Sequence, residues 1–193
     1  MSSALKLLQK EFPETTGSLA VDGIRVNLED GCVLDAVVAE SLAQARNLWH
    51  IRENITLAQA EEGLNIKHDI SIPISAIPAF VRETDAELAA QIPGARFVDF
   101  GHLGDGNLHY NVQSPEGQDH REFQRLYEDK VNDIVYASVR RFGGSISAEH
   151  GVGELKVDRL PDYKDPVAIE MMRRLKRAFD PKNTLNPGRV VQV

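Results

Sequence analysis

The sequence predicts an α+β fold: an antiparallel sheet with helices on one face, followed by a C-terminal helical segment. Segments with strand-like alternation interleave with segments whose apolar residues recur every three or four positions. Near the middle, two short alternating segments flank Leu103-Gly104-Asp105-Gly106, and Asp-Gly between strands marks a hairpin. No repeat, low-complexity tract or linker-like stretch interrupts this order.

From the N-terminus, MSSALKLLQKEF has the look of the last turns of an amphipathic helix and lacks the apolar core and cleavage site of a secretory signal. Residues 19–28 alternate well enough for a strand. From Asp30 to about Gly63 the pattern is helical, with Leu34, Val37, Val38, Leu42, Ala45 and Leu48 at helical spacing and Gly63 as the stop. Ile66 to Ile72 reads as a strand ended by Pro73. Ser75 is placed to cap a helix that runs to about Ile92 and closes at Pro93-Gly94. Arg96 to His102 and Asn107 to Gln113 form the hairpin strands. A long helix from about Gln118 to Phe142 follows, then Gly143-Gly144 and a short strand Ser145 to Ala148. A last helix spans Pro166 to Phe179, before Asp180-Pro181 and Asn186-Pro187-Gly188.

At 193 residues, 42% hydrophobic and 26% charged, the composition is that of an ordinary globular protein. No apolar run is long enough to span a bilayer, which excludes a transmembrane segment. The net charge of -7 argues against a nucleic-acid partner, so an acidic ligand would need a few placed Arg and Lys side chains. The single cysteine, Cys32, cannot form an internal disulfide and reads as a small core residue. A reducing compartment fits that usage.

Three of the six histidines fall in two clusters, Gly101-His102-Leu103-Gly104-Asp105-Gly106-Asn107-Leu108-His109 and Ser147-Ala148-Glu149-His150-Gly151. A hairpin would bring His102 and His109 together across a glycine-rich bend, and a carboxylate would complete a three-ligand metal set with an open position. Glu149 is the best candidate; Asp105 can instead serve the turn, where Asp bonds its own backbone. His50, His68 and His120 read as surface positions on helix or strand. Arg52 and Thr56 are four apart, on one helix face, and an arginine fork beside a hydroxyl suits a carboxylate. Lys67 opens the next strand and could reach the same anion. On the residues alone, a solvated helix face explains Arg52 better.

The stretches DAVVAESLAQARNLWHIRENIT, KHDISIP, GHLGDGNLHYNV, SAEHGVGELK and DPKNTLNPGRV, in that order over about residues 35–190, resemble the C-terminal portion of FAD-linked oxidases of the vanillyl-alcohol oxidase superfamily. The nearest branch is the D-2-hydroxyglutarate dehydrogenase, D-lactate dehydrogenase and glycolate oxidase flavin-subunit group. The resemblance implies a divalent metal, zinc by expectation, on His102, His109 and Glu149, with His150 as the catalytic base. It implies substrate-carboxylate binding by Arg52, Thr56 and Lys67, substrate contact by Asn111, and a place for Asn186 and His150 near the flavin ring. It also implies a substrate-binding cap of ferredoxin-like form, whole or in part, over residues 1–113, and a helical portion over 114–193 that carries the SAEHG and NPG motifs.

The large N-terminal domain that holds FAD in such enzymes is absent from these residues, and no glycine-rich phosphate loop replaces it. The partners expected are therefore a 2-hydroxy acid and an FAD-binding domain, in cis or as a separate subunit, with homo-oligomerisation open. The expected activity is oxidation of a D-2-hydroxy acid to the 2-oxo acid, with the chain alone inactive, in the cytoplasm or mitochondrial matrix. A binding module without turnover and a metal-dependent hydrolase are the rival readings.

Overall fold

The computed structural model describes residues 39–193, which fall into two units divided between Glu62 and Gly63. The strand expected at 19–28, Cys32 and the N-terminal helical residues lie outside the described residues.

In the first unit, helix α1 (Leu42–Glu53) starts at Ser41, whose side chain accepts the Gln44 N–H, and helix α2 (Ile55–Glu61) follows directly. The helix expected from Asp30 to Gly63 is therefore two helices over its described part. The break falls on Asn54, whose amide lies 2.9 Å from His50 Nε2; asparagine favours such local bonds over helix interiors. Arg52 and Thr56 thus do not share one continuous helix, which corrects the spacing argument. Gly63, at φ +112°, is the stop the sequence signalled.

The second unit carries a three-stranded antiparallel sheet in the order β1-β3-β2: β1 (Asn65–Ser71), β2 (Arg96–Phe100) and β3 (Asn107–Gln113). Helix α3 (Ile77–Gln91) joins β1 to β2, and α4 (His120–Arg141) follows β3. A 3-10 turn at Ile74–Ala76 precedes α3, so Ser75 sits inside that turn and caps nothing. Ala76 is the cap residue, and Pro78 in the first turn sets the start. The long helix begins instead on a side-chain cap, Asp119 accepting the Glu122 N–H at 2.8 Å.

The register assigns every strand residue to one of two faces. Tyr110 is paired with His68 on one side and Asp99 on the other; His109 is paired with Asp69 and Phe100; Asn111 with Lys67 and Val98. Side chains alternate along a strand, so the Tyr110 row and the His109 row face opposite ways. The Tyr110 face is the core. Ile66, Ile70, Leu108, Tyr110 and Val112 pack there with Phe80 and Leu88 of α3 and with Phe123, Val131, Val135 and Val139 of α4.

His68 lies in this core at 1% exposure, not on the surface as read from sequence. Its Nδ1 donates to the Tyr110 carbonyl and its Nε2 meets the Asn132 amide, both at 2.9 Å, and its ring stands edge-on to Tyr136. Hydrogen bonds at both ring nitrogens let a polar side chain occupy an inward strand position. His120 is half-buried, bonded through Nδ1 to Ser114 Oγ, with its ring over Gly63 where a Cβ would lie 2.5 Å away.

Beyond α4, Ser145 pairs with Ser71 in an isolated bridge, and the strand expected over Ser145–Ala148 goes no further. The physical reason is that the Ser147 N–H is taken by the Ser145 hydroxyl and the amides from Ala148 onward by the Asp69 carboxylate. A short helix α5 (Leu160–Tyr163), not foreseen, and α6 (Pro166–Phe179) complete the unit. Asp165 caps α6 by accepting the Val167 and Ala168 N–H groups. Leu160, Ile169 and Val191 form a second small core that ties α5, α6 and the C-terminal tail together.

Candidate active site

The face of the sheet opposite the helices carries Lys67 and Asp69 on β1 and His109 and Asn111 on β3. The β2–β3 hairpin turns through a 3-10 segment, Leu103–Asp105, and reverses at Gly106, φ +78°. A Cβ on Gly106 would lie 2.4 Å from the Ile72 carbonyl oxygen, so this crossing requires glycine. Asp105 Oδ1 accepts the Asn107 N–H at 3.0 Å, the turn role set out for it above. The turn leaves His102 beyond the end of β2 and His109 within β3.

These two imidazoles meet on one carboxylate. His102 Nδ1 lies 3.1 Å from Glu149 Oε1, and His109 Nε2 lies 3.6 Å from Glu149 Oε2. His109 is also held by Phe100, ring centroids 4.9 Å apart, and the His150 ring stands 5.9 Å from it. His150 is 71% exposed at the side chain and His102 62%, so this edge of the cluster is open to solvent.

Asp69 fixes the loop that carries Glu149 and His150, and the sequence reading missed it. At 5% exposure its carboxylate accepts the backbone N–H groups of Ala148 (3.2 Å), Glu149 (3.0 Å) and His150 (2.8 Å). Three successive amides on one carboxylate leave residues 148–150 unable to extend the bridge at Ser145 into a strand. Burial by itself would raise the Asp69 carboxyl, but these N–H donors together hold it below the usual carboxylate range. Lys156 adds a second fastening by donating to the carbonyls of Ile146 (2.6 Å) and Asp69 (3.3 Å). An acid at an alternate position of a strand was the signal available in KHDISIP. What it bonds to, 79 to 81 residues away, was not.

Among the described residues, Asp69, Glu149 and His150 offer ligand atoms within 4.8 Å of one another. Asp69 is already committed to backbone amides, so the donors free to take a cation are the imidazole nitrogens and the Glu149 carboxylate. Two imidazoles and one carboxylate suit a divalent transition metal with an open position.

Of the remaining predicted residues, Lys67 is exposed and lies directly across the strand pair from Asn111, which is 4% exposed. Arg52 and Thr56 belong to the first unit. Asn186, at φ +48°, stands in the C-terminal turn beside Leu185, whose carbonyl accepts from Lys176 at 2.5 Å. The Asp180 carboxylate accepts from Lys176 and from the Thr184 and Leu185 N–H groups and holds this turn against the end of α6.

Residues 13–190 match the family described as FAD linked oxidases, C-terminal domain. The chain is 40% identical over 183 residues to a D-2-hydroxyglutarate dehydrogenase of Stutzerimonas stutzeri, covering 93% of this chain and 39% of that protein. It is 40% identical over 179 residues to a D-2-hydroxyglutarate dehydrogenase of Xanthomonas citri, covering 93% and 38%. It is also 36% identical over 160 residues to a mitochondrial D-2-hydroxyglutarate dehydrogenase of Rattus norvegicus, covering 83% and 28%. The chain thus spans well under half the length of the curated relatives it matches. With a family match running over most of its length, this chain belongs to the FAD linked oxidases, as their C-terminal domain.

Proposed function

We propose that this chain is the substrate- and metal-binding part of an FAD-dependent D-2-hydroxy-acid dehydrogenase. The observation that carries the reading is the Glu149 carboxylate set between two imidazoles with His150 beside it, on the sheet face that also presents Lys67 and Asn111. The names of the relatives point to D-2-hydroxyglutarate as substrate.

His102, His109 and Glu149 would hold the divalent ion. Lys67 and Asn111 bind a carboxylate of the substrate, and Arg52 and Thr56 are the further candidates for that role. His150 takes the proton of the 2-hydroxyl, a task suited to imidazole near neutral pH. Asn186 and His150 would serve on the flavin side of the site. When bound, the metal would acidify the 2-hydroxyl and the flavin would accept the hydride from C2.

Spacing along the strands favours a dicarboxylate. Residues two apart on one face are separated by about 7 Å, so the Lys67–Asn111 row lies that far from the His109 row. A 2-hydroxy acid with two methylenes and a second carboxylate spans the gap, and the methyl of lactate does not.

The test is elemental analysis of the purified chain beside His102→Ala, His109→Ala and Glu149→Ala. Wild type is expected to hold one divalent ion per chain and each variant substantially less. Equal metal content in all four proteins refutes the ligand set. Titration with D-2-hydroxyglutarate and D-lactate, with Lys67→Ala as control, tests the substrate class. Weaker binding of the dicarboxylate in the variant, with D-lactate unaffected, is the expected result.

A further inference from the structure

Large apolar side chains are exposed in both units: the first exposes Leu42, Leu48, Trp49, Ile51 and Leu57, and in the second they are unevenly spread. Residues 63–150 expose Leu64, Ile74, Leu103 and Leu126, whereas the shorter stretch 151–193 exposes Leu155, Val167, Met171, Leu175, Phe179, Leu185, Val190 and Val193. Twice as many large apolar side chains in about half the length places most of the second unit's unburied apolar surface in its C-terminal layer.

Four of the eight form one stripe. Val167, Met171, Leu175 and Phe179 are each four residues apart on α6, one above the next, and are 68%, 60%, 57% and 82% exposed. The inward side of the same helix is also apolar, with Ile169 buried and Met172 packed beside it. The polar positions Glu170, Arg173, Arg174 and Arg177 fill the remaining arc, and Lys176, on the inward side, donates to Asp180 and to the Leu185 carbonyl. A surface helix has one apolar face, and α6 is apolar over more than half its circumference. Four large side chains in a row are on the scale, roughly 300–600 Å², that marks an interaction site on a soluble domain.

The stripe is strapped to the candidate active site. Arg173 donates to the Gln192 carbonyl at 2.9 Å, and Gln192 donates to Asp158 at 2.9 Å. The Val190 N–H donates to the Gly153 carbonyl at 3.0 Å, and Arg189 pairs with Glu154. Residues 153–158 belong to the loop that leaves His150. A body resting on α6 is therefore indexed to the segment that leaves His150; the exposed Leu155 lies within that segment and the exposed Leu185 precedes Asn186.

We infer that the Val167–Met171–Leu175–Phe179 stripe is the docking face for the flavin-binding body that the longer relatives carry. The inference rests on the functional reading above. The occupant follows from three facts together: the family is by description the C-terminal domain of FAD-linked oxidases, the chain spans only 39% and 38% of two relatives, and the bare surface is tied to the loop a flavin ring must approach. Apolar rather than charged contact suits a permanent neighbour, since obligate interfaces resemble a domain core cut in half.

The test is thiol labelling. In a Cys32→Ser background, Met171→Cys and Leu175→Cys are introduced singly into this chain, and the aligned positions are changed to cysteine in the full-length Stutzerimonas stutzeri relative. Maleimide labelling is located by peptide mass spectrometry, and circular dichroism checks folding. In this chain both thiols react at the rate of an unfolded control; in the longer relative both react at least roughly tenfold more slowly. Equal reactivity in the two proteins overturns the inference. Protection in this chain alone, rising with its concentration, also overturns it and assigns the stripe to a second copy. Metal content and hydroxy-acid binding are read separately, so failure of the site reading leaves the labelling contrast intact.

Discussion

Asp99 stands on the edge strand β2, across from Tyr110 on the core face, and its Oδ1 is buried without a hydrogen-bond partner among the described residues. Tyr110 does not serve it, because its hydroxyl donates to Asp85 Oδ1 at 2.6 Å. Burial first, and then the neighbouring Asp85 charge, push the Asp99 carboxyl up to about 7 from an ordinary 3.8. A carboxyl whose folded value exceeds its unfolded value destabilises the fold as it ionises. Its contribution is most favourable below about 4, falls as the pH rises from there to about 7, and is level beyond. Between pH 5 and pH 8 the loss is about 2–3 kcal/mol, at about 1.4 kcal/mol for each tenfold change in the ionisation ratio. Asp99→Asn keeps the shape and removes the titration. Urea unfolding of both proteins at pH 5, 6, 7 and 8 should show the stability difference moving in favour of the variant by about that 2–3 kcal/mol. A difference constant across the four pH values refutes the reasoning and would mean that the carboxylate finds a partner or water on ionising.

Other expectations follow from the same core and its site-bearing face. Asp69→Asn should cost about 2–4 kcal/mol at pH 7, because three amides lose an anionic acceptor, and should weaken metal retention; chemical denaturation and metal titration measure both. Since Asp69 is held below the usual carboxylate range, its contribution is present at neutral pH and lost as the pH falls below about 3.8, a dependence Asp69→Asn should lack. His68 is held down to about 4, by burial foremost, so its own contribution to stability should fall by roughly 2 kcal/mol between pH 7 and pH 5, where the unfolded chain takes up a proton the fold refuses, a change of opposite sign to that at Asp99 and therefore read as the difference between wild type and His68→Gln. His68→Gln should flatten that loss, and an unchanged pH profile would count against the buried neutral imidazole. Gly106→Ala should destabilise by more than about 2 kcal/mol, since its φ of +78° and the Ile72 carbonyl 2.4 Å from the new Cβ act together; thermal unfolding reads it, and a shift of only a degree or two would contradict the crossing.

The elements legible in the sequence were those with strong local signals. The bounds of β3 and α6 come out at the residues read from alternation and from Pro166 and Phe179, and the hairpin follows from Asp-Gly. His102, His109 and Glu149 were nominated by spacing and motif, and the fold brings them onto one carboxylate. What local pattern could not supply was long-range pairing. The strand expected at Ser145–Ala148 has an apolar-polar texture, but its last amide, that of Ala148, and the two that follow are claimed by Asp69 from a segment far away in sequence. His68 carried a surface reading because histidine is polar, and its burial depends on Asn132 and Tyr136, which only the packing of α4 on β1 provides. Arg52 and Thr56 fit a helical face on paper, and the break at Asn54, whose side chain bonds back to His50, divides that face into two helices.

Strand β3 sends Leu108, Tyr110 and Val112 into the core while His109 and Asn111 line the opposite face, so neighbouring residues answer to different demands. For protein engineering the consequence is sharp. Point substitutions at Leu108, Tyr110 and Val112 act on the core, whereas a randomised library can diversify the half-buried His109 on the opposite face; Asn111, buried at 4% exposure, answers to both demands. A codon deletion inside β3 permits no such sorting. It would turn Tyr110 and the flanking aliphatics toward the ligand side and bury an imidazole among Phe80 and Val135, destroying both properties in one event. The segment should therefore tolerate substitution drift and yet be closed to length variation, whereas the exposed turn at Glu116-Gly117 just beyond it accepts insertions.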